Sequence, residues 1–268
     1  MGGISVGRVI AVANQKGGVG KTTTTVNLAA SLAAAEQHTL IVDGDPQGNA
    51  TSGVGIQASD SRPTLYDVLI GAIPVTDALQ TAVHFELLDV VPATPDLAGA
   101  EVELIERENR GGAMREALEP LKDRYDFILI DCPPSLGLIT LNMLGAADSV
   151  LIPLQCEYYA LEGISQLLNT VHRIQHGLNK DLDILGVLLT MYDARLNLSR
   201  QVAADAREYF GETVFETVIP RNVRLAEAPS FGKPIMLYDV GSIGAKAYMN
   251  VARELISRTT GGAANNGS

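Results

Sequence analysis

Residues 8–30, RVIAVANQKGGVGKTTTTVNLAA, decide how the fold is read. The first seven, RVIAVAN (8–14), are rich in β-branched residues and predict a strand. A glycine loop follows, and residues 21–36 predict a helix with Leu28 and Leu32 one turn apart. Strand, glycine loop and helix form the setting that a phosphate-binding loop needs. Glycines let backbone N–H groups turn toward an anion, and the helix N-terminus adds partial positive charge at the same place. The usual motif reads G-x-x-x-x-G-K-[ST]. Gly20, Lys21 and Thr22 match its end, but Gln15 stands where its first glycine belongs, followed by a second lysine, Lys16.

Short apolar runs recur along the chain. TLIVD (39–43), ELLDVVPA (86–93), DFILID (126–131), SVLIPLQ (149–155), DILGVLLTMYD (183–193) and TVFETVIP (213–220) predict strands, and residues 96–121 predict mainly helix. Unbroken Val/Ile/Leu strands separated by helices predict a doubly wound α/β fold, a mainly parallel sheet flanked by helices. Residues 1–260 are expected to form a single P-loop ATPase domain, and the Gly/Asn-rich stretch 261–268 a disordered tail.

With 268 residues, 46 % hydrophobic and 19 % charged, the chain can bury a large core without disulfide or metal staples. It has no apolar run near the roughly 18 residues that span a bilayer, and no secretory signal is recognisable. Cys132 and Cys156 make neither a disulfide framework nor a CxxC knuckle, which points to a reducing cytoplasm. The formal net charge of −11 excludes a uniformly basic nucleic-acid binder. The charge is uneven, however: residues 195–258 hold nine Lys/Arg against seven Asp/Glu. Contact with DNA would have to come from that region.

Within the loop, Lys21 is placed to reach the β- and γ-phosphates of a nucleotide and the Thr22 hydroxyl to bind Mg²⁺. Asp131 ends the strand DFILID, where an acid near the loop can hold the magnesium shell. Asp43 and Asp45 follow the neighbouring strand, at the sheet edge where ligands of open α/β folds bind. A carboxylate there can orient the attacking water or steady the metal, although DGDPQG would also be unremarkable as a plain turn. His172 and His176 share a helical face, but without a third ligand in sight they read as a solvated surface.

KGGVGKTTT (16–24), DGDPQGN (43–49), LIDCPPSLG (129–137) and IPRNVRLAEAPSFGKPI (219–235) together resemble the ParA/Soj partition ATPases of the deviant Walker A class. The resemblance covers about residues 8–257; the first motif marks the wider class, and its combination with DPQGN and IPRNVRLAEAPS is much more specific. It implies an ATP-dependent DNA-partitioning enzyme with ATP and Mg²⁺ as cofactors. ATP contacts would run from Lys16 through Gly17, Gly18, Val19, Gly20, Lys21 and Thr22 to Thr23, with Pro220 and Asn222 bordering adenine. Mg²⁺ would be held by Thr22, Asp45 and Asp131, and Asp45 would position the hydrolytic water. Lys16 would cross to the ATP of a second subunit, and Glu157 would contact that nucleotide. Gly44 stands where relatives often carry a larger apolar residue, so a looser loop is expected there.

The same resemblance implies a homodimer in the ATP state that binds duplex DNA without sequence preference, through Arg195 and Arg224, then Arg200 and Arg221. The bland reading of these arginines is ion pairing with Asp193 and Glu227. A ParB/Spo0J-type centromere-binding partner would stimulate hydrolysis and release the DNA, placing the protein in the cytoplasm on the nucleoid. With so short a stretch before the first strand, no N-terminal helix-turn-helix of the larger plasmid relatives is expected. Two other families carry a similar loop. A MinD-like positioning ATPase would end in a basic amphipathic membrane helix, which ARELISRTTGGAANNGS does not resemble, so no membrane is expected. A reductase like the nitrogenase iron protein would bridge subunits with a cluster, but the surroundings of Cys132 and Cys156 differ from that family's ligand motifs.

Overall fold

The computed structural model describes residues 7–57, 63–157 and 160–261. Six strands, β1 (Arg8–Val12), β2 (Thr39–Asp43), β3 (Leu88–Val91), β4 (Phe127–Asp131), β5 (Ser149–Gln155) and β6 (Asp183–Thr190), form one sheet. Their order is β3-β2-β4-β1-β5-β6, and every pairing is parallel. Eleven α-helices are described: α1 (Lys21–Ala34), α2 (Asn49–Gly53), α3 (Leu65–Leu69), α4 (Ala100–Ile105), α5 (Ala113–Leu118), α6 (Leu138–Ala146), α7 (Ala160–Gly177), α8 (Asn197–Phe210), α9 (Val223–Glu227), α10 (Ile235–Tyr238) and α11 (Ile243–Gly261). The expected tail lies, beyond Gly261, outside the described residues.

Alternation along the strands divides the core in two. Val9, Ala11, Leu40 and Val42 face one side, where helices α3 to α8 supply Leu69, Leu104, Met114, Leu144, Leu167 and Val202. Ile10, Val12 and Ile41 face the other, covered by Leu28 and Leu32 of α1 and by Tyr248, Val251 and Leu255 of α11. Both leucines of α1 are fully buried, and each contributes about 1.5–3 kcal/mol by leaving water. A sheet covered on both faces requires strands that are apolar throughout, which is why they read as continuous runs rather than alternating ones.

Residues 96–121 are mainly helical, as expected, but in pieces: a 3₁₀ turn, α4, α5 and a second 3₁₀ turn. Gly111 and Gly112 interrupt the run, and Pro120 ends it by removing a donor. The strand expected after α8 is corrected: residues 213–220 do not form one. They run beside β6, touching it through isolated bridges at Val214 and, beyond its end, at Pro220. Phe215 and Ile219 still donate to Val187 and Leu189 of β6. Between them, however, the N–H groups of Glu216 and Thr217 donate to the Glu254 carboxylate at 2.8 and 3.1 Å. Helix α11 thereby takes donors that a continuous ladder would need.

The same seam depends on Gly186. A Cβ there would lie 2.5 Å from Phe215 Cε2 and 2.7 Å from the Thr213 carbonyl oxygen. Gly186→Ala should therefore lower stability by about 1–3 kcal/mol through overpacking, read as a lower urea midpoint at unchanged m-value.

Candidate nucleotide and magnesium site

Parallel register builds the site. Val12 of β1 pairs with Asp131 of β4, and Asp43 of β2 pairs with Asp131 on its other side. The glycine loop after β1 and the acid that ends β4 therefore leave the sheet side by side, where the strand order reverses. Gly18 and Gly20 have φ of 75° and 91°, a left-handed backbone that a side chain would strain. Thr190, at the end of β6, anchors the loop by donating its hydroxyl to the Val19 carbonyl at 2.8 Å.

Asp131 is fully buried. Its Oδ2 accepts from the Thr22 hydroxyl at 2.7 Å and its Oδ1 from Thr25 at 3.3 Å. Burial, and then the nearby Asp43 carboxylate, push its carboxyl up to about 8. Burial also lowers Lys21 below its ordinary value, against the attraction of Asp131. The Lys21 ammonium donates to the Lys16 carbonyl at 3.3 Å. Thr25 did not emerge from the motif, although its spacing of three from Thr22 puts both hydroxyls on one helical side.

The two acids after β2 separate in space. Asp43 is fully buried, and its carboxylate accepts from the Thr51 N–H, the Thr51 hydroxyl and the Asp45 N–H. Burial pushes it up to about 6. It organises the loop, whereas Asp45 lines the open cavity and accepts from the Gln47 N–H at 2.9 Å. Gly44 does not loosen this loop. Its N–H donates to the Asp131 carbonyl at 2.9 Å, and a Cβ would lie 2.7 Å from that oxygen and 3.2 Å from Met143.

The cavity has a volume of about 830 Å³. Gly17, Gly18, Gly20, Lys21, Thr22 and Thr23 line one side, and Asp45 with Gln47 another. Pro133, Pro134 and Ser135 close it beyond Asp131, together with Glu101 of α4. Met191 and Pro229 line its far wall, while Pro220 and Asn222 do not line it. The Asn222 side chain instead caps α9 by accepting from the Arg224 N–H. Val19 is buried beneath the loop. Nothing in the glycine loop points to Glu101, Met191 or Lys233, a lysine that also lines the cavity, because they come from distant segments.

Lys16 does not join the lining. Its ammonium lies 3.3 Å from Glu157 Oε2, with both side chains partly exposed. The Glu157 carboxylate also accepts from Gln155 Nε2. Asn14 holds the turn beneath, donating to the Pro153 carbonyl and accepting from the Lys16 N–H.

Among the arginines, Arg195 makes a two-pronged contact with Asp193 at 2.7 and 2.9 Å, which holds that carboxyl down at about 2. Arg224 pairs with Glu227 at 2.9 Å and with Asp239 at 3.5 Å. Arg200 donates to the Ala194 carbonyl and to Asn197. The Arg221 N–H donates to the Tyr192 carbonyl, which draws the 193–195 and 221–224 segments together at one sheet end.

The raised carboxyl of Asp131 has a consequence for stability. Without nucleotide and Mg²⁺, the folded chain holds that proton more tightly than the unfolded chain, whose carboxyl titrates near 3.8. This contribution is complete below about pH 4 and is lost as pH rises through about 8. The apparent Tm of the nucleotide-free protein should fall between pH 6 and 8 by more than that of Asp131→Asn, measured by thermal unfolding.

Comparison with known proteins follows the same lines. A family model described as an AAA domain matches residues 7–184. The chromosome partitioning protein ParA of Myxococcus xanthus is 58 % identical over 259 residues, 97 % of this chain and 91 % of that one. The sporulation initiation inhibitor protein Soj of Bacillus subtilis is 58 % identical over 250 residues, 93 % of this chain and 98 % of that one. Among solved structures, cobyrinic acid a,c-diamide synthase from Mycobacterium smegmatis with bound ADP and magnesium aligns at TM-score 0.83 and 39 % identity, covering 96 % of each chain. The cell division ATPase MinD of Pyrococcus furiosus aligns at TM-score 0.78 and 30 % identity, covering 94 % of this chain and 99 % of that one. Among the described residues no helix is long and apolar enough to cross a membrane. The fold, the glycine loop with its buried acid, and identity above one half over nearly the whole chain agree: the chain belongs to the ParA/Soj family of chromosome-partitioning ATPases.

Proposed function

We propose that the protein hydrolyses ATP as a dimer that sandwiches two nucleotides, binds duplex DNA nonspecifically in that state, and is released when a ParB/Spo0J-type partner stimulates hydrolysis. The observation that carries this reading is the direction of Lys16. It belongs to the phosphate loop, yet its ammonium leaves its own cavity and ends at the surface on Glu157. A loop lysine turned away from its own phosphates is available to a neighbour's. There it would act as an arginine finger does, balancing charge on the transferring phosphoryl group. Such fingers contribute about 10³–10⁵ in rate, or about 4–7 kcal/mol. Glu157 would follow it to the partner's nucleotide.

Within one protomer, the N–H groups of Gly17 to Thr23 would cradle the phosphates and Lys21 would exchange the Lys16 carbonyl for a phosphate oxygen. The donor set fits Mg²⁺, because the Thr22 hydroxyl and Asp131 carboxylate are hard oxygen ligands already 2.7 Å apart. Thr22, Asp131 and Asp45 would hold the ion, which when bound neutralises charge on the β- and γ-phosphates. Asp45, at the cavity wall, would orient the attacking water. The adenine would lie toward Met191, with Pro220 and Asn222 further along the same edge.

For DNA, Arg195, Arg224, Arg200 and Arg221 offer guanidinium groups from two segments at one end of the sheet. Exposed ion pairs such as Arg195–Asp193 are weak and can be exchanged for phosphate contacts, which carry no sequence information. Against a net charge of −11, such binding would depend steeply on salt.

ATP turnover should rise when duplex DNA and the centromere-binding partner are both present; no response to the pair would withdraw the partitioning reading. Lys16→Ala should abolish ATP-dependent dimerisation on a sizing column, and an unchanged dimer would remove the finger role. Arg195→Glu should lose retention on nonspecific duplex DNA while the dimer persists. Equal retention at several salt concentrations would remove Arg195 from the DNA face.

A further inference from the structure

Two glycines from distant segments meet beside the cavity wall. Gly55 lies just beyond α2, and Gly232 ends the 3₁₀ turn Ala228–Phe231. Their φ values are 77° and 60°, a left-handed backbone that favours glycine at both positions. They touch through backbone atoms alone. A Cβ on Gly232 would lie 2.6 Å from the Gly55 Cα, and one on Gly55 would lie 2.9 Å from the Gly232 carbonyl oxygen. No flexible side chain takes part in this contact, so it sets one segment directly against the other.

His84 bridges the joint. Its Nε2 lies 2.9 Å from the Val54 carbonyl oxygen and 2.9 Å from the Gly232 carbonyl oxygen. Both partners can only accept, so Nε2 carries a hydrogen and shares it between them. His84 itself has φ of 63°, uncommon for a residue with a side chain. The turn that holds it there is anchored independently. The Val83 N–H donates to the Leu88 carbonyl at 2.7 Å, and the Ala82 N–H to the Asp89 carboxylate at 2.9 Å. Val83 and Phe85, on either side of the histidine, pack against the core beneath α1 and α11.

Both joined segments carry the cavity wall. Ser52 and Gly53, just before Val54, line the cavity from one segment; Ala228, Pro229 and Lys233 line it from the other. The Gly232 N–H donates to the Pro229 carbonyl at 2.9 Å, so the glycine moves with that wall. Beyond it, the Ile235 N–H donates to Asn27 Oδ1 of α1 at 2.6 Å. Residues 228–235 are thus held at one end by α1 and at the other by the joint, while His84 itself does not line the cavity.

We propose that His84 is a positioning residue for the nucleotide. By donating to Val54 and Gly232 together it sets the spacing between the wall after α2 and the wall of residues 228–233, and so the fit of the cavity to its ligand. Preorganised walls raise affinity by removing the cost of ordering them on binding. The groups read as acting on the phosphates, Lys21, Thr22, Asp45 and Asp131, stand on other segments, so loss of the bridge acts on binding and leaves the chemical step alone. The inference rests on the reading of this cavity as the nucleotide site. It is independent of the dimer, the DNA contact and the partner.

The test compares His84→Ala, His84→Phe and His84→Gln with the wild type, each as the full chain. Affinity for ADP with Mg²⁺ is measured by titration calorimetry, KM and kcat for ATP by steady-state turnover, and Tm without nucleotide by thermal unfolding. His84→Ala and His84→Phe should weaken ADP binding and raise KM about fivefold, the weight of one neutral hydrogen bond, at unchanged kcat. Phenylalanine fills the space of the ring without a donor, whereas the glutamine amide brings two N–H donors. His84→Gln should therefore restore both constants. Wild-type ADP affinity and KM in His84→Ala and His84→Phe would overturn the proposal, and a lowered Tm beside them would leave His84 a role in the fold alone. A fall in kcat at unchanged KM would overturn it as well. A wild-type protein that binds no ADP would instead overturn the nucleotide reading of the cavity, and the role of His84 with it.

Discussion

The site is organised around one buried carboxylate. Asp131 sits at the end of a central strand with no exposed surface, flanked in register by Val12 and Asp43 and held by the hydroxyls of Thr22 and Thr25. Burying such a group is costly without partners. Two threonine hydroxyls and a nearby lysine offset that cost here, and they do so by drawing the first turn of α1 onto the end of β4. The glycine loop is shaped by this constraint from one side and by the Thr190–Val19 hydrogen bond from the other. Burial first, and then the neighbouring carboxylates of the Asp43, Asp45 and Asp131 cluster, raise the carboxyls of Asp43 and Asp131.

The two lysines of the loop respond to this field differently. Lys21 is buried, and its ammonium turns back to the Lys16 carbonyl, a neutral acceptor that a phosphate oxygen can displace. Lys16 is half exposed and meets Glu157, an ion pair whose partners are both reachable by water. Weak, exposed pairs of this kind hold a side chain in place without committing it. The loop thus combines a fixed cation for its own phosphates with a second that is available to move. The arginines of the 193–200 and 221–224 segments resemble Lys16 in this respect, since Arg195, Arg200 and Arg224 rest on nearby surface partners.

Much of this was legible from the chain. The loop and helix of residues 15–34, the strands TLIVD and SVLIPLQ, and the parallel class follow from local chemistry. Glycine spacing marks an anion site, and uninterrupted apolar runs mark strands buried on both faces. Other elements were not legible because the competing interaction is distant in sequence. Residues 213–220 have strand composition, but Glu254 captures two of their N–H groups. Gly44 looked like slack and is instead a close approach to the Asp131 carbonyl. Spacing alone leaves Asp43 and Asp45 alike, yet Thr51 consumes the first and the second lines the cavity.

The amino-acid sequence by itself determined that a nucleotide-binding α/β domain of the ParA/Soj type would form, because strand, glycine loop, lysine and strand-terminal acid each act through their own local geometry. Only the tertiary structure decided which groups meet. The parallel register sets Asp131 against Thr22, the end of β6 pins the loop, and Lys16 faces Glu157 from 141 positions away. The same packing brings Glu101 of α4 to the cavity wall, where it lines the site with Pro133 and Pro134. These contacts depend on how six strands are ordered, and strand order is fixed by packing both faces of the sheet at once, which no local stretch of chain encodes.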